Sequence, residues 1–467
     1  MDETTEKLII DEKAVRVNQQ ALRSMLIGDR EEAIIQFHNA IELDNNFPEP
    51  YFHLGNIYIK EDNFKLASEM YEEAIKITKD NGNLFFNLGI CKSNLGEIND
   101  AIKNYIKCLK IDPSNTKALK FLGNCYKDCK NFKDASKIYN KWSELEPDNP
   151  EPKVCRALLH VRNARFDIGW KMYEEGLKDN IREPLPGFYQ EEHKLWDGKK
   201  FNGTLLVYGE QGLGDQILYG TLLPDLLKVH KKVFLKIDQR LHSLFKENFP
   251  SLKIFKENDH ICPNSYNKFI AIGSLNKYFR KHTNDFMNSE FKFFEFNKNI
   301  FHGFKEQINK TKELKIGFSW HTFAKKNGPK RCLNPKEVSE ILSCNNYSFI
   351  NLQYGDINQS VQEINQLSNN KLISIDGLDL TNDLENLIPV IKKCDLIITI
   401  DNTLAHLASS LGKNVWVLLP YSADPRWMED INFSLYYQNT TVLRQDKTAS
   451  WGNVIKILQT ALSEIKS

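Results

Sequence analysis

The chain has 467 residues, which is too long for one ordinary domain, and division by the usual domain length predicts about three units. Hydrophobic residues make up 41% of the chain and charged residues 26%, values that exclude a disordered or fibrous protein. The 62 Lys and Arg residues nearly balance the 61 Asp and Glu residues. We therefore expect no nucleic-acid partner and no general attraction to anionic membranes.

No stretch of the sequence approaches the roughly 18 apolar residues of a membrane span, and the first residues lack a secretion-signal pattern. We therefore expect a cytoplasmic protein without a membrane span. The nine cysteines are scattered, and the closest pair, Cys125 and Cys129, has no further zinc ligands at suitable spacing. The pattern predicts free thiols, no metal and no cofactor, and it leaves the oligomeric state open.

A 34-residue period governs the first third of the chain. It is carried by small residues, by aromatic residues four positions later and by Leu-Gly pairs: Ala33, Ala67, Ala101 and Ala135; Phe37, Tyr71, Tyr105 and Tyr139; Leu54-Gly55, Leu88-Gly89 and Leu122-Gly123. Small residues allow two helices to approach closely, and an aromatic ring fills the remaining gap. The period predicts repeated pairs of helices.

These positions resemble the tetratricopeptide repeat, in units near 14–47, 48–81, 82–115 and 116–149, with a degenerate fifth unit to 178. Such an array stacks into a superhelix with an extended concave surface. The resemblance favours a domain, residues 1–178, whose groove binds a peptide or a partner protein. A spacer or dimerisation module without a ligand is the alternative.

After an irregular, proline-containing connector at 179–200, short apolar runs alternate with helical segments. The predicted strands are Thr204–Tyr208, Lys232–Ile237, Leu252–Phe255, Phe269–Ile272, Lys315–Trp320, Ser348–Leu352, Leu372–Ile375, Leu396–Asp401 and Val415–Leu419. This alternation is typical of parallel sheets. It predicts two doubly wound α/β domains, 201–300 and 301–467, that face each other across a cleft. Ligands of such sheets bind beyond the carboxyl ends of the strands.

The first strand is followed by a glycine-rich turn that leads into a helix. Gly212 and Gly214 let the backbone turn tightly and expose amide groups, and Asp215 and Gln216 follow at the start of the helix. The spacing matches neither the dinucleotide-binding nor the ATP-binding glycine motif. Two interpretations of Asp215 stay open: a helix cap, or a carboxylate that deprotonates an acceptor hydroxyl.

The second predicted domain offers groups that suit phosphate. A basic loop ending in Lys330 and Arg331 follows its first strand and is either a solvated loop or a phosphate contact. The strand at 396–400 ends in Asp401, and Asn402 and Thr403 open the next helix. We expect the N–H groups at 402–404 and the Thr403 hydroxyl to form a diphosphate cradle. His406, one turn into the helix, either packs in the core or faces the cleft.

Three motifs together resemble glycosyltransferase family nine, the ADP-heptose:lipopolysaccharide heptosyltransferases, in the bacterial subgroup with an N-terminal tetratricopeptide array. They are EQGLGDQILYGTLLPDL at 210–226, IDNTLAHLASSLGKNVWVLLP at 400–420, and DPRWM with SLYYQNTTVLRQ between 424 and 445. The resemblance covers about 195 to 465. It implies two Rossmann-like domains of GT-B type, with the nucleotide-sugar mainly on the C-terminal one, and a metal-independent inverting transfer.

The resemblance also implies roles for individual residues. Asp215 matches the acidic residue of the family's Gly-x-Gly-Asp turn, its candidate catalytic base. Asp401, Thr403 and His406 match the donor-site signature, although Asn402 stands between the first two. Lys330 and Arg331 resemble the family's basic pair. Asp424, Arg426 and Trp427 match an Asp-x-Arg-Trp stretch for which closure of the fold is the simpler interpretation.

No Asp-x-Asp sequence, the usual carboxylate pair for a metal on a sugar diphosphate, occurs in the chain. The leaving diphosphate must then be neutralised by Lys, Arg and helix N-termini. The leading hypothesis is a cytoplasmic glycosyltransferase that uses a nucleotide-diphosphate sugar and whose repeats recruit the acceptor, possibly a protein. The alternatives are a scaffold whose transferase half has no turnover, and a transferase that acts on a surface glycan.

Overall fold

The computed structural model describes residues 10–178, 181–183, 191–309, 313–324, 328–344 and 346–465. Residues 179–180 and 184–190 of the predicted connector, and Lys325 and Lys326 of the predicted basic loop, lie outside these residues. The chain forms two compact units, Met1–Pro152 and Lys153–Ser467. Each unit is described by itself.

The described part of the first unit is built from paired helices. These are α1 (Glu12–Ile27), α2 (Arg30–Leu43), α3 (Pro48–Lys60), α4 (Phe64–Ile77), α5 (Gly82–Asn94), α6 (Ile98–Ile111), α7 (Thr116–Asp128) and α8 (Phe132–Leu145). The turn inside each pair repeats at 34 residues, with left-handed backbone at Gly28, Asp62, Gly96 and Lys130. Because this conformation ends one helix and the next residue begins another, the loops stay short.

The Leu-Gly pairs have a direct steric explanation. The ring of Tyr105 lies so close to Gly89 that a Cβ atom there would stand 2.5 Å from the ring, and Gly55 meets Tyr71 in the same way at 2.6 Å. Real Cβ atoms do not approach other atoms so closely, so only glycine fits. The glycine and the aromatic residue of each unit therefore form one packing element, which accounts for their shared period.

Two further helices, α9 (Glu151–Arg162) and α10 (Phe166–Tyr173), carry the predicted fifth repeat. Their turn has the same left-handed residue at the same interval, Ala164 with φ of 56°. Tyr173 stands 34 positions after Tyr139. These helices keep the local repeat geometry, yet from Lys153 onward they belong to the second compact unit.

The first sheet of the second unit contains the parallel strands β1 (Leu205–Tyr208), β2 (Val233–Ile237), β3 (Lys253–Lys256) and β4 (Lys268–Ala271), in the order β3-β2-β1-β4. The helices around it are α11 (Leu213–Gly220), α12 (Leu223–Val229), α13 (His242–Asn248), α14 (Asn276–Phe279) and α15 (Thr283–Met287). We call residues 195–280 the first lobe. All four strands predicted here are present.

The second sheet is also parallel, in the order β10-β9-β8-β5-β6-β7. Its strands are β5 (Leu314–Ser319), β6 (Tyr347–Asn351), β7 (Leu372–Ile373), β8 (Leu396–Ile400), β9 (Val415–Leu419) and β10 (Thr440–Arg444). The accompanying helices are α16 (His302–Ile308), α17 (Pro335–Leu342), α18 (Asn358–Leu367), α19 (Leu384–Lys393), α20 (Thr403–Ser410) and α21 (Gly452–Glu464). Strand β10 was not among the predicted strands, because its residues Thr-Thr-Val-Leu-Arg carry few apolar side chains. We call residues 313–465 the second lobe.

One hydrophobic cluster contains residues of both lobes, such as Leu218 and Leu407, so the lobes share a core. The phenylalanine-rich segment between them adds to this contact. The ring of Phe294 packs on Phe245 of the first lobe at 5.2 Å, and its N–H donates to the Ser410 carbonyl of the second lobe at 2.7 Å. Phe294 of this segment thus contacts both lobes.

The steric fit of Gly89 leads to a prediction for the repeats. Gly89→Ala places a Cβ against the Tyr105 ring and should destabilise the first unit by about 1–3 kcal/mol, the usual cost of overpacking. Gly82→Ala, in the same helix, is the matched control, because the nearest atom to its Cβ lies 3.7 Å away. Thermal unfolding followed by circular dichroism measures both. Equal melting temperatures for the two variants would contradict the prediction.

Candidate functional site

The carboxyl ends of the two sheets face each other in the second unit. Helix α11 follows β1 of the first lobe, and α20 follows β8 of the second lobe. Their first turns touch: a Cβ at Gly214 would lie 3.4 Å from the Thr403 backbone and 3.0 Å from the His406 ring. Gly214 therefore allows close approach of the two helices. This edge is where open α/β sheets bind ligands, and it brings together most of the residues singled out in the sequence.

Asp215 is held by both of its carboxylate oxygens. Its Oδ2 accepts a hydrogen bond from the Gly212 N–H at 3.3 Å, which caps α11. Its Oδ1 forms an ion pair with Nη1 of Arg426 at 2.6 Å. The side chain is 17% exposed, so it is enclosed without being sealed from solvent. Burial raises the pKa of Asp215, and the positive charge of Arg426 only partly offsets this effect.

Arg426 belongs to the second lobe and connects it to the first, because it binds both Asp215 of the first lobe and Asp424 of its own. Its Nε donates to Oδ1 of Asp424 at 2.8 Å, and its backbone N–H donates to the same oxygen at 3.0 Å. Burial alone would raise the pKa of Asp424, but the Arg426 guanidinium outweighs it and lowers that pKa to about 2. One guanidinium thus joins Asp215 of the first lobe to Asp424 of the second.

A second arginine–aspartate pair lies at the end of β8. Arg331 Nη1 donates to Oδ2 of Asp401 at 3.1 Å and to its backbone carbonyl at 3.0 Å. The indole N–H of Trp427 donates to the other carboxylate oxygen of Asp401 at 2.8 Å. Asp401 is therefore positioned by two segments distant in sequence. Across both clusters, three carboxylates face two guanidinium groups.

His406 is buried in the core of this region and also borders the contact between the lobes. Its ring stacks on the Trp427 ring at 5.3 Å, and its Nδ1 lies 3.4 Å from the Tyr437 hydroxyl. Burial, assisted by the positive charge of Arg426, lowers the pKa of His406 well below its ordinary value. The imidazole is therefore neutral near pH 7. The two interpretations of His406 combine: it packs in the core and faces the other lobe.

The N-terminus of α20 differs from the expected cradle. Asn402 is the N-cap, and its Oδ1 accepts from the Leu404 N–H at 3.0 Å and the Ala405 N–H at 3.4 Å. Its Nδ2 donates to the Ser319 hydroxyl at 2.9 Å. The Leu404 N–H assigned to a diphosphate cradle is thus already bonded within the protein. Capping physics explains this correction, since Asn satisfies the first amides of a helix. Thr403 remains half-buried at the lobe contact.

Of the remaining predicted site residues, Gln216 supports the glycine turn, Arg331 contacts the site and Lys330 lies at the surface. Gln216 is buried, and its Oε1 accepts from the Asp238 N–H at 2.9 Å, so its carbonyl braces the turn against the end of β2. Lys330 is exposed in the short turn Pro329–Arg331, whereas Arg331 turns inward to Asp401. The predicted basic pair is therefore split between solvent and the site.

A cavity of about 260 Å³ lies beside the lobe contact. Its walls are mainly leucines, among them Leu213 and Leu387, and its polar groups include Arg240, Tyr354 and Thr403. Leu213, Arg240, Tyr354 and Thr403 follow β1, β2, β6 and β8 respectively, so four strands direct residues to it. Leu213 and Asp215 are two residues apart on α11, on nearly opposite sides of the helix. The cavity and the ion pairs therefore flank the same helix end.

The sequence analysis missed Tyr354 and Arg240, although both follow strands and the rule about strand ends could have found them. It also missed Glu210, which is buried directly before the glycine turn. Within the residues described above, no group of three or more His, Cys, Asp or Glu side chains could hold a metal ion. None of the helices in that part of the chain combines the length and apolar character needed to cross a membrane.

The ionisation of Asp215 should be visible in the stability of the protein. Because its folded-state pKa is raised, the fold binds its proton more tightly than the unfolded chain does. The resulting stability is present below the ordinary Asp pKa and is lost as pH rises through the raised one. Asp215→Asn removes this loss, so its melting temperature relative to the unaltered protein should increase with pH above about 4. A flat difference across pH 4–8 would contradict the prediction.

Comparisons with known proteins identify the repeats. Two tetratricopeptide repeat models match residues 48–81 and 94–158. Protein FlbA of Caulobacter vibrioides is 24% identical over 286 residues, which cover 56% of this chain and 47% of FlbA. The chain thus spans about half the length of this curated relative.

Among solved structures, YrrB, described as a tetratricopeptide protein with an unusual peptide-binding site, is 20% identical with a TM-score of 0.34, over 36% of this chain and 88% of its own. MamA is 18% identical with a TM-score of 0.34, over 34% of this chain and 94% of its own. The two family models show that the chain contains tetratricopeptide repeats.

Proposed function

We propose that the second unit is a glycosyltransferase of the GT-B type, similar to family nine, which transfers a sugar from a nucleotide diphosphate with inversion and without a metal. The observation that carries the proposal is the position of Asp215. It begins a helix at the carboxyl edge of one parallel sheet, and its partner Arg426 comes from the lobe of the other sheet. Carboxylates so enclosed, with perturbed pKa values, are typical of general bases.

In the proposed reaction, the oxygen of an acceptor hydroxyl attacks the anomeric carbon of the donor sugar. The bond from that carbon to the diphosphate oxygen breaks, and the nucleoside diphosphate leaves with the bonding electrons. Asp215 takes the proton of the acceptor hydroxyl. The raised pKa of Asp215 suits this task, because a stronger base accepts the proton more readily.

The charges around Asp215 fit a transition state in which positive charge develops on the sugar. Three carboxylates and two guanidinium groups leave a negative excess beside the neutral His406. Fixed charges of this sign stabilise an oxocarbenium-like sugar. In this proposal the diphosphate lies toward Lys330, Thr403 and the N-terminus of α20, where the helix dipole is positive, and Arg331, which pairs with Asp401, borders it.

The apolar cavity is suited to the nucleoside of the donor. Its leucine walls offer an apolar surface to a base, and Tyr354 supplies an aromatic ring for stacking. Thr403 borders both the cavity and the lobe contact, so a nucleoside there would place its diphosphate near the start of α20. The sugar would then extend toward the side of α11 that carries Asp215.

We further propose that the tetratricopeptide repeats recruit the acceptor and that the acceptor is a protein. Repeats of this kind present a long concave surface suited to an extended peptide. Fusion of such a surface to a transferase provides a high local concentration of the acceptor. A surface glycan as acceptor, or a scaffold without turnover, are the alternatives, and the experiments below separate them.

Donor binding can be tested with a thermal-shift screen of the full chain against UDP-, GDP-, ADP-, CMP- and dTDP-sugars, with and without EDTA. A donor at about 100 times its dissociation constant should stabilise the folded protein by roughly 2.7 kcal/mol. We expect one nucleotide class to bind and EDTA to leave both binding and turnover unchanged. If no nucleotide-sugar shifts the melting temperature, a scaffold without turnover is favoured. Loss of activity in EDTA would refute the metal-free mechanism.

With the donor known, Asp215→Asn separates the enzyme from a binding protein. It keeps the shape of the side chain and removes the base. Turnover should fall by about 10²–10⁴-fold, while donor binding stays within a few-fold. Assays with unmodified proteins and with glycan acceptors then distinguish the two acceptor classes.

The nucleoside site generates its own prediction. Tyr354→Ala removes the aromatic ring from the cavity and should weaken donor binding by about 1–3 kcal/mol, the usual value of stacking between a base and an aromatic ring. Tyr354→Phe keeps the ring and loses only the hydroxyl that contacts Thr322 at 3.1 Å, so it is the matched control. Calorimetric titration with the nucleoside diphosphate measures both. Equal affinities for the two variants would exclude the cavity as the nucleoside site.

A further inference from the structure

Residues 153–178 and 181–183, which include most of α9, all of α10 and Arg182, contact both loops that supply the Asp215–Arg426 pair. We call these residues the bracing segment. Arg182 is fully buried, and its guanidinium grips Glu210 through Nε at 3.0 Å and Nη2 at 2.5 Å. Glu210 lies five residues before Asp215, at the start of the glycine turn. The Gly273 N–H also donates to Glu210 at 3.2 Å, which fixes this end of the turn to the first lobe.

The bracing segment holds the other loop through a second arginine. Arg162, at the end of α9, is 3% exposed and forms an ion pair with Glu429, three residues after Arg426. Its Nη2 donates to the carbonyl of Ala423, which directly precedes Asp424. The two contacts enclose the segment 424–428 from both sides. Arg162 therefore fixes the loop that carries Arg426 and Asp424.

A third contact reaches the centre of the glycine turn. Gln211 adopts a left-handed backbone with φ of 63°, a conformation that strains a residue other than glycine. Its side-chain Nε2 donates to the Tyr173 hydroxyl of α10 at 2.9 Å, and its backbone N–H donates to Glu183 at 3.1 Å. The strained residue is thus held by the bracing segment. Gln211 lies four residues before Asp215.

We propose that Arg162, Arg182 and Tyr173 are positioning residues, which set the glycine turn and the 424–428 loop so that Asp215 and Arg426 face each other. This inference rests on the proposed transferase function for its effect on turnover, but the geometry it describes exists without substrate. The bracing segment keeps the repeat turn and the repeat tyrosine, as described above. Tyr173 packs with Ala157 and Trp170 of this helix pair, and its hydroxyl contacts the turn that carries Asp215.

The energetics of buried arginines support a positioning role over simple stabilisation. Removal of a guanidinium from water costs several kcal/mol, and a buried pair often adds little net stability compared with apolar residues. A hydrophobic contact would also attach the bracing segment to the lobes, but it would not fix the exact position of the two loops. Bidentate pairing restricts both distance and angle. Pairs on both loops therefore set the relative placement of Asp215 and Arg426.

The test uses conservative variants of the full chain: Arg162→Lys, Arg182→Lys and Tyr173→Phe. The lysines keep the charge and lose the fork of the guanidinium, and Tyr173→Phe keeps the packing if a lysine variant does not fold. Arg280→Lys is the matched control. Arg280 is equally buried at 3% exposure and pairs with Asp225 at 2.8 Å, and its guanidinium donates to Phe279, Asp225 and Ser289, which belong to neither loop.

The first readout is kinetic. Misplacement of a reacting group by about 1 Å can reduce turnover by about 100-fold. We expect kcat to fall by about 10- to 100-fold in each positioning variant, while KM for the donor stays within about twofold. Arg280→Lys should lower the melting temperature without lowering kcat at the assay temperature. A kcat in the three variants equal to that of Arg280→Lys would overturn the proposal.

The second readout needs no activity, so it separates this proposal from the transferase proposal. The melting-temperature difference between Asp215→Asn and its parent is followed against pH in each background. The groups that face Asp215 are Arg426, Asp424, Glu210, Tyr173, Tyr219 and Tyr437. If the loops are held less firmly, water reaches Asp215 and burial raises its pKa less. The pH midpoint of the melting-temperature difference should therefore move toward the ordinary Asp range by about half a pH unit or more in the positioning variants. Midpoints equal to that of Arg280→Lys would overturn the proposal.

Discussion

The architecture of the second unit depends on a guanidinium shared between two lobes. Arg426 binds Asp424 in its own lobe and Asp215 in the other, so one side chain connects the two sheets at their carboxyl edges. Gly214 permits the approach because a side chain there would meet the His406 ring. The phenylalanine segment and the shared hydrophobic core then hold the lobes together behind this contact. The ion pairs fix the relative position of the two lobes, and apolar packing stabilises the contact between them.

The parts of the fold that the sequence predicted are those determined by local rules. The 34-residue period follows from a steric fit between a glycine and a tyrosine within one unit, so it is visible without any long-range contact. The nine predicted strands appear as short apolar runs, and central strands such as β1, β6 and β8 are buried along their whole length. The missed strand β10 lies at the edge of its sheet, where Thr440 and Thr441 replace the aliphatic residues of a central strand. Its aliphatic residues are Val442 and Leu443, a run too short to predict a strand from the pattern alone.

The candidate site was only partly predictable, because its residues are joined by contacts across long separations. The glycine turn and the Asp401 region were recognisable as strand ends. The partners of their carboxylates were not, since Arg426 follows Asp215 by more than 200 residues and Arg182 reaches Glu210 through the fold. The diphosphate cradle expected at α20 could not be judged from the sequence for a different reason. Asn402 could serve a ligand or its own helix, and only the geometry shows that its Oδ1 caps the helix.

The two interpretations of Asp215, helix cap and catalytic base, are compatible. Its Oδ2 accepts only the Gly212 N–H, and each carboxylate oxygen has two lone pairs, so capping leaves acceptor capacity for a substrate hydroxyl. The cap even assists the proposed role, because it fixes the side-chain torsion that aims Oδ1 at Arg426. A base fixed in this way does not need to be ordered when the substrate binds, and its pKa is set by burial before the substrate arrives. In the proposed reaction, the helix cap therefore holds the Asp215 carboxylate in place for the transfer between the two lobes.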